Sequence, residues 1–169
     1  MKNLIFIDGG NIFHSLKSLN KAKETKYKID YLKLSKFLSD KTKSSNLRTY
    51  FYTGVPATIS DKQMGFLTML DLLPNFEVKK KTLKIKNGRP IEKGVDVNIV
   101  TDMLWSGLNK HCEHIILVSG DEDLTDAVTK LKENGISLTV AAFKNNSSKK
   151  LIRSADNYID LSEELDKFC

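Results

Sequence analysis

The chain contains only two cysteines, Cys112 and Cys169, among its 169 residues. Two cysteines exclude a disulfide framework, and their spacing fits no zinc site. The three histidines (His14, His111 and His114) show no metal-ligand spacing with each other or with the cysteines. A hydrophobic core must therefore stabilise the protein, and a chain of this length can bury one.

Long apolar runs and phosphate-binding glycine loops are also absent. No apolar stretch approaches the roughly 20 residues that span a membrane, so we expect no membrane partner. The N-terminal run, residues 4–7, is too short for a secretory signal and precedes the acidic Asp8. We therefore expect a cytoplasmic protein, with residues 1–169 forming a single domain. Gly9-Gly10 alone does not make a dinucleotide-binding fingerprint.

Basic residues outnumber acidic ones, and the formal net charge is +6. A generally lysine-rich composition would explain this charge, but the basic residues are also clustered. One cluster consists of Lys79, Lys80, Lys81, Lys84, Lys86 and Arg89, and the other of Lys144, Lys149, Lys150 and Arg153. Such patches attract phosphate backbones of any sequence, which favours a nucleic-acid partner.

The hydrophobic pattern alternates between strands and helices. The fully apolar runs 4–7 and 115–118 are typical of buried parallel strands. Further strands are predicted over 47–53, 76–85, 136–143 and 158–161. Helical spacing of apolar residues predicts helices over 11–19, 30–38, 63–73, 91–108 and 124–134. This alternation favours an α/β three-layer sandwich with a mostly parallel central sheet.

Aspartates occupy positions where such a sheet binds ligands. Asp8 follows the first apolar strand, and Asp121 and Asp123 follow the second. Asp96 lies near the start of the helix predicted over 91–108. Ligands of open α/β sheets gather outside the carboxyl ends of the strands. Four carboxylates in one crevice would repel each other unless a cation compensates, and oxygen ligands suit Mg²⁺ or Mn²⁺.

The predicted metal site defines a reaction class. One divalent ion polarises a phosphoryl oxygen and activates a water molecule. Two ions ~3.5–4 Å apart clamp the attacking and the leaving oxygen of an in-line displacement. We therefore predict phosphodiester hydrolysis, with Asp8, Asp96, Asp121 and Asp123 as catalytic metal ligands and Mg²⁺ or Mn²⁺ as cofactor.

Each of these residues also has a purely structural explanation. Asp8 can initiate the turn at Gly9-Gly10, and Asp96 can complement a helix dipole. Asp121 or Asp123 can cap the helix that follows. Asn11 can cap the first helix or contact the site.

Four segments, in this order along the chain, resemble the motifs of NYN-domain proteins, the LabA/DUF88-like branch of the PIN-like nuclease superfamily. They are residues 7–11 (IDGGN), 93–97 (KGVDV), 117–123 (LVSGDED) and 154–161 (SADNYIDL). The resemblance spans nearly the whole chain. It implies a PIN-like fold and metal-dependent ribonuclease activity. The resemblance also implies that the four aspartates are metal ligands and that Asn11 and Ser119 orient the residues of the site.

The sequence therefore predicts a metal-dependent endoribonuclease that acts on RNA, which we expect to be single-stranded. The predicted substrate-binding residues are Asn11, Ser119, Lys80, Lys81, Lys84 and Lys93. One alternative is a non-catalytic RNA- or protein-binding module on the same fold. Another is a haloacid-dehalogenase-like phosphatase with Asp8 as nucleophile, although Gly10 stands where that chemistry needs a second aspartate. Whether the chain forms a homo-oligomer is left open.

Overall fold

The computed structural model describes residues 1–169 as eight strands and six α-helices joined by short loops and turns. The strands are β1 (Lys2–Asp8), β2 (Ser45–Val55), β3 (Phe76–Thr82), β4 (Lys84–Lys86), β5 (Arg89–Ile91), β6 (His114–Val118), β7 (Ser137–Ala142) and β8 (Asn157–Asp160). The helices are α1 (Gly9–Lys23), α2 (Tyr31–Lys41), α3 (Asp61–Asp71), α4 (Val95–Leu108), α5 (Thr125–Glu133) and α6 (Lys149–Ser154). None of the helices combines the length and the hydrophobicity that crossing a membrane requires.

Six strands form one sheet in the order β3-β2-β1-β6-β7-β8, and every neighbouring pair is parallel. This confirms the α/β fold predicted from the sequence. The apolar runs 4–7 and 115–118 lie in the two central strands, where both faces are covered. The strand order runs outwards in both directions from β1 and β6, so a topological switch point lies between them.

Helices cover both faces of the sheet and make three layers. Ile5 and Ile7 face the layer of α1, α2 and α3, whereas Leu4 and Phe6 face the layer of α4, α5 and α6. Successive side chains of a strand point to opposite faces, so one apolar run serves both halves of the core. An uninterrupted apolar strand is therefore the sequence signature of a doubly covered sheet.

The segment between β3 and α4 differs from the sequence prediction. The strand predicted over 76–85 ends at Thr82, and the helix predicted over 91–108 begins only at Val95. The intervening residues form the hairpin β4–β5, whose turn residues Asn87 and Gly88 have φ angles of 52° and 72°. Positive φ at both turn residues is what a two-residue hairpin loop of type I′ requires. The helix cannot extend further back because Gly94 is left-handed, with a φ of 88°.

Helix α1 begins at Gly9, two residues earlier than predicted, and Gly9 packs directly against β2. A β-carbon at Gly9 would lie 2.5 Å from the Phe51 ring and 2.7 Å from the Tyr52 carbonyl oxygen. Asp8 caps the helix by accepting a hydrogen bond from the Asn11 main-chain N–H. The absence of a side chain at residue 9 therefore lets α1 start immediately after the strand.

We expect Gly9→Ala to lower the free energy of unfolding by about 1–3 kcal/mol, because β2 or α1 must shift to admit the methyl group. Gly65 is a matched control, since it lies within α3 and a β-carbon there would meet nothing within 4 Å. Gly65→Ala should raise the free energy of unfolding by about 0.5–1 kcal/mol. Urea denaturation of both variants measures the difference. Equal effects at the two positions would contradict the close packing of Gly9.

Candidate active site

Asp8 and the loop after β6 meet at the switch point of the sheet. In the parallel pairing of β1 with β6, Ile7 lies beside Val118, so the next residues of both strands emerge side by side. The Ser119 hydroxyl donates a hydrogen bond of 3.0 Å to Asp8 Oδ2. The structure thus joins two residues that are 111 positions apart in sequence.

Asn11 ties helix α1 to the same loop. Its side-chain Oδ1 accepts a hydrogen bond of 2.9 Å from the Gly120 main-chain N–H, while its own main-chain N–H donates to Asp8 Oδ1 at 3.2 Å. The alternative that Asn11 caps α1 is wrong, because Asp8 is the cap. Asp121 N–H donates to the Ser119 hydroxyl oxygen at 3.2 Å. The side chains of Asn11 and Ser119 therefore hold the loop in place.

Asp8 is a carboxyl group in an unfavourable environment. Its side chain is buried, with 6% relative exposure. Burial is the main reason why the pKa of Asp8 is raised to about 6. Hydrogen bonds from Asn11 and Ser119 oppose this shift, and the negative charges of Glu92 and Asp121 add to it. A buried, partly desolvated carboxylate beside another negative charge is a position where a bound cation would be favourable.

The other three predicted metal ligands are less buried than Asp8. Asp121 is half-buried, and its Oδ1 accepts a hydrogen bond of 3.0 Å from the Asp123 main-chain N–H. Asp121 therefore also caps the helical turn of Glu122–Leu124. Asp123 is exposed. Asp96 is half-buried in the first turn of α4, where it also suits the helix dipole.

No group of three or more histidine, cysteine, aspartate or glutamate side chains is close enough to hold a metal ion in this structure. The four-aspartate metal site thus stays a prediction. The donor chemistry at Asp8 and Asp121 nevertheless fits magnesium. Magnesium keeps several water ligands and is commonly bound through one or two carboxylates together with substrate phosphates, so it needs no complete protein cage.

Glu92 is an acidic residue that was not among the site residues predicted from the sequence. A β-carbon at Gly10 would lie 3.1 Å from Glu92 Oε2, so this carboxylate lies over the start of α1. The Glu92 Cγ atom also lies 3.2 Å from the corresponding position at Gly54, in β2. The hairpin β4–β5 carries Glu92 to this place. Its position just before the segment 93–97 was the only local signal for it.

The four lysines predicted to bind substrate, Lys80, Lys81, Lys84 and Lys93, are all exposed, and none forms a salt bridge. They belong to the end of β3, the hairpin and the approach to α4. The Lys81 Nζ atom lies 3.5 Å from the position of a β-carbon at Gly94, which places it at the start of α4. The positive charges of the four lysines therefore all lie within residues 80–93, the segment that also contains Glu92.

Most acids outside the site have local structural partners. Asp102 accepts a hydrogen bond of 2.7 Å from the hydroxyl of the buried Tyr52. Glu122 accepts one of 3.0 Å from the Ser148 hydroxyl. Asp156 accepts from the Leu138 N–H. The bonds of Asp102 and Asp156 join α4 and the start of β8 to the sheet, and that of Glu122 joins its helical turn to the start of α6.

The sequence profile of the NYN domain family matches residues 2–163. The chain therefore belongs to the NYN domain family, a PIN-like nuclease family whose members bind RNA and generally use divalent metals.

A relative agrees with this assignment, and a solved structure shares the fold. The chain is 27% identical over 165 residues to the "Low amplitude and bright protein LabA" of Synechococcus elongatus, covering 94% of this chain and 83% of that protein. Its fold is similar to that of the Vibrio parahaemolyticus protein of unknown function VPA0982, with a TM-score of 0.74 and 24% identity. That match covers 95% of this chain and 92% of the other.

The raised pKa of Asp8 predicts a pH dependence of stability. Because the folded pKa of about 6 exceeds the ordinary value of about 4, the folded state binds the proton more tightly than the unfolded state. The stabilising contribution of Asp8 is therefore full below about pH 4 and is lost as the pH rises through about 6. The loss amounts to roughly 2–3 kcal/mol.

Asp8→Asn, which can still cap α1, should remove this slope and be more stable than the wild type at neutral pH by about 2 kcal/mol. Denaturant unfolding at several pH values without divalent metal measures this. Asp126→Asn is the control, because Asp126 is exposed and the variant changes the same charge. Parallel stability curves for the wild type and Asp8→Asn would show that Asp8 does not titrate in this range.

Proposed function

We propose that this NYN-domain protein is a metal-dependent endoribonuclease, with residues 1–169 acting as one domain. The observation that carries the proposal is the buried Asp8 at the switch point of the sheet, hydrogen-bonded to Ser119 and close to Asp121. The ligand crevice of an open parallel sheet lies at this point. The membership of the family supports the same reaction class.

Asp8 and Asp121 would hold a divalent cation, with Asp96 and Asp123 as the further predicted ligands. Ser119 and Asn11 keep the two carboxylates in register by bonding the loop to α1. When bound, Mg²⁺ or Mn²⁺ would neutralise the carboxylates and polarise a phosphoryl oxygen of the substrate. Hydrolysis adds water across the phosphodiester and releases one phosphate end and one hydroxyl end.

The exposed lysines of the hairpin segment suit the RNA backbone. Lys80, Lys81 and Lys84 have no acidic partner, so their charges are available to phosphates. Lys93 lies between Glu92 and the first turn of α4, where a substrate contact would border the carboxylates. Contacts of this kind are independent of base sequence and weaken with salt.

A non-catalytic RNA-binding module is the second candidate. Two observations favour it: no three acidic side chains are grouped closely enough for a metal, and Asp8 and Asp121 each have a capping role. The haloacid-dehalogenase-like phosphatase is disfavoured, since the NYN family profile accounts for residues 2–163.

Cleavage of a labelled single-stranded RNA tests the nuclease proposal. We expect cleavage with Mg²⁺ or Mn²⁺, none with a chelator, and a loss of about 100-fold or more in Asp121→Asn, which keeps the shape of the side chain but removes its charge. Asp126→Asn should retain full activity. Binding without cleavage by the wild type would support the binding module, and hydrolysis of a small phosphomonoester alone would support the phosphatase.

Charge reversal tests the hairpin lysines. Each of Lys80→Glu, Lys81→Glu and Lys84→Glu should weaken RNA binding for all sequences and reduce the slope of log affinity against log salt by about 0.7 or more, because one counterion-releasing contact is lost. Lys110→Glu is the matched control. Lys110 is exposed and precedes β6, at the opposite end of the sheet. An unchanged salt slope in the hairpin variants would remove these lysines from the binding surface.

A further inference from the structure

Two neighbouring cavities lie on the face of α1, α2 and α3, and the first begins beside Asp8. The first has a volume of about 390 Å³ and starts at Gly9 and Gly10, the residues that follow Asp8. The second has a volume of about 660 Å³ and extends along α1. The two cavities share Phe13, Tyr31 and Phe66 as lining residues, so they form one continuous groove. Both volumes fall in the range of about 300–1,000 Å³ that binding sites occupy.

The first cavity has aromatic walls that are open to solvent. Tyr31 and Phe51 form a buried base, with ring centroids 4.9 Å apart. The ring of Phe66 lies 6.2 Å from each of them and is 39% exposed. Phe13, on the facing helix α1, is 59% exposed. Exposed aromatic faces beside a cavity are the platforms on which unpaired bases stack.

The polar groups of the first cavity suit a base rather than a phosphate. Thr53 and Gln63 line it, and the negative charge of Glu92 would repel a phosphate from its upper rim. Hydroxyl and amide groups donate to and accept from base edges. His14 also lines the cavity but no lysine or arginine does, so the cavity offers stacking and hydrogen bonding without a permanent positive charge.

The second cavity has the opposite character. Lys17, Lys28 and Lys62 line it, no acidic side chain does, and none of the three lysines forms a salt bridge. Three unpaired ammonium groups along one groove attract a polyanion and are complementary in charge to a phosphate backbone. A surface that alternates aromatic platforms with lysines is the arrangement that binds single-stranded nucleic acid.

We propose that this groove binds single-stranded RNA, with one unpaired base stacked between Phe13 and Phe66 and the adjoining phosphates against Lys17, Lys28 and Lys62. The inference rests on the proposed nuclease function and adds to it a second contact surface, which none of the hairpin lysines lines. The strand must be unpaired, because a base held in a duplex cannot present its face to the two phenylalanines.

Fluorescence anisotropy with a short labelled oligouridine, in chelator so that binding is measured without cleavage, tests the aromatic platform. Phe13→Leu should weaken binding about 5- to 100-fold, because leucine keeps the bulk but lacks a stacking face. Phe13→Trp should keep or improve the affinity. Trp105→Leu is the matched control, since Trp105 is 66% exposed on α4, on the opposite face of the sheet. It should bind like the wild type.

Charge reversal tests the second cavity. Lys17→Glu and Lys62→Glu should each lower the slope of log affinity against log salt by about 0.7 or more, whereas Lys110→Glu should not. These side chains are exposed, so thermal melting should confirm that the variants are folded. Unchanged affinity in Phe13→Leu, an equal loss in Trp105→Leu, or binding of duplex RNA as tight as that of single strands would overturn the proposal.

The groove and the nuclease can fail separately. If the Phe13 and lysine variants behave as expected but the wild type cleaves no RNA with Mg²⁺ or Mn²⁺, the groove stands and the nuclease function fails. If the wild type cleaves RNA in a metal-dependent way and Phe13→Leu binds and cleaves like the wild type, the nuclease stands and the groove is wrong.

Discussion

The backbone pairing of β1 with β6 brings Asp8 and Ser119 to the same point at the carboxyl end of the sheet. The chain adds strands outwards from these two, so the crevice between their ends is left uncovered by any crossover helix. Two further residues of the candidate site are attached to this pair. Asn11 joins it through Gly120, and Asp121 through Ser119. A shift in the register of either strand would separate all of them.

The two faces of the sheet contribute different properties to the surroundings of Asp8. The layer of α1, α2 and α3 supplies the aromatic and lysine-lined groove, whereas α4 brings Asp96 and is fixed to the sheet by the Tyr52–Asp102 hydrogen bond. The hairpin β4–β5 connects the two faces and delivers Glu92 above Gly10. Negative charge is thus concentrated at the switch point, with positive charge along the surfaces that lead to it.

The sequence predicted those features of the fold and the candidate site that a local sequence pattern places at the ends of neighbouring strands. The two fully apolar strands, the strand-end aspartates and the family motifs lie where the sheet order predicts them. Glu92, Phe13 and Phe66 were not found, because they meet only through the packing of α1, α3 and the hairpin. No periodicity within one segment encodes that packing. The helix predicted over 91–108 begins four residues later, at Val95, because a hydrophobic pattern does not reveal the left-handed backbone of Gly94.

The lysines at the end of β3 have a consequence that is independent of any ligand. β3 is an outer strand of the sheet, and its free side exposes main-chain groups that could pair with a strand of another molecule. Lys79, Lys80 and Lys81 place successive ammonium groups on this strand. An approaching strand would have to strip water from them, so these residues also protect the protein against edge-to-edge aggregation.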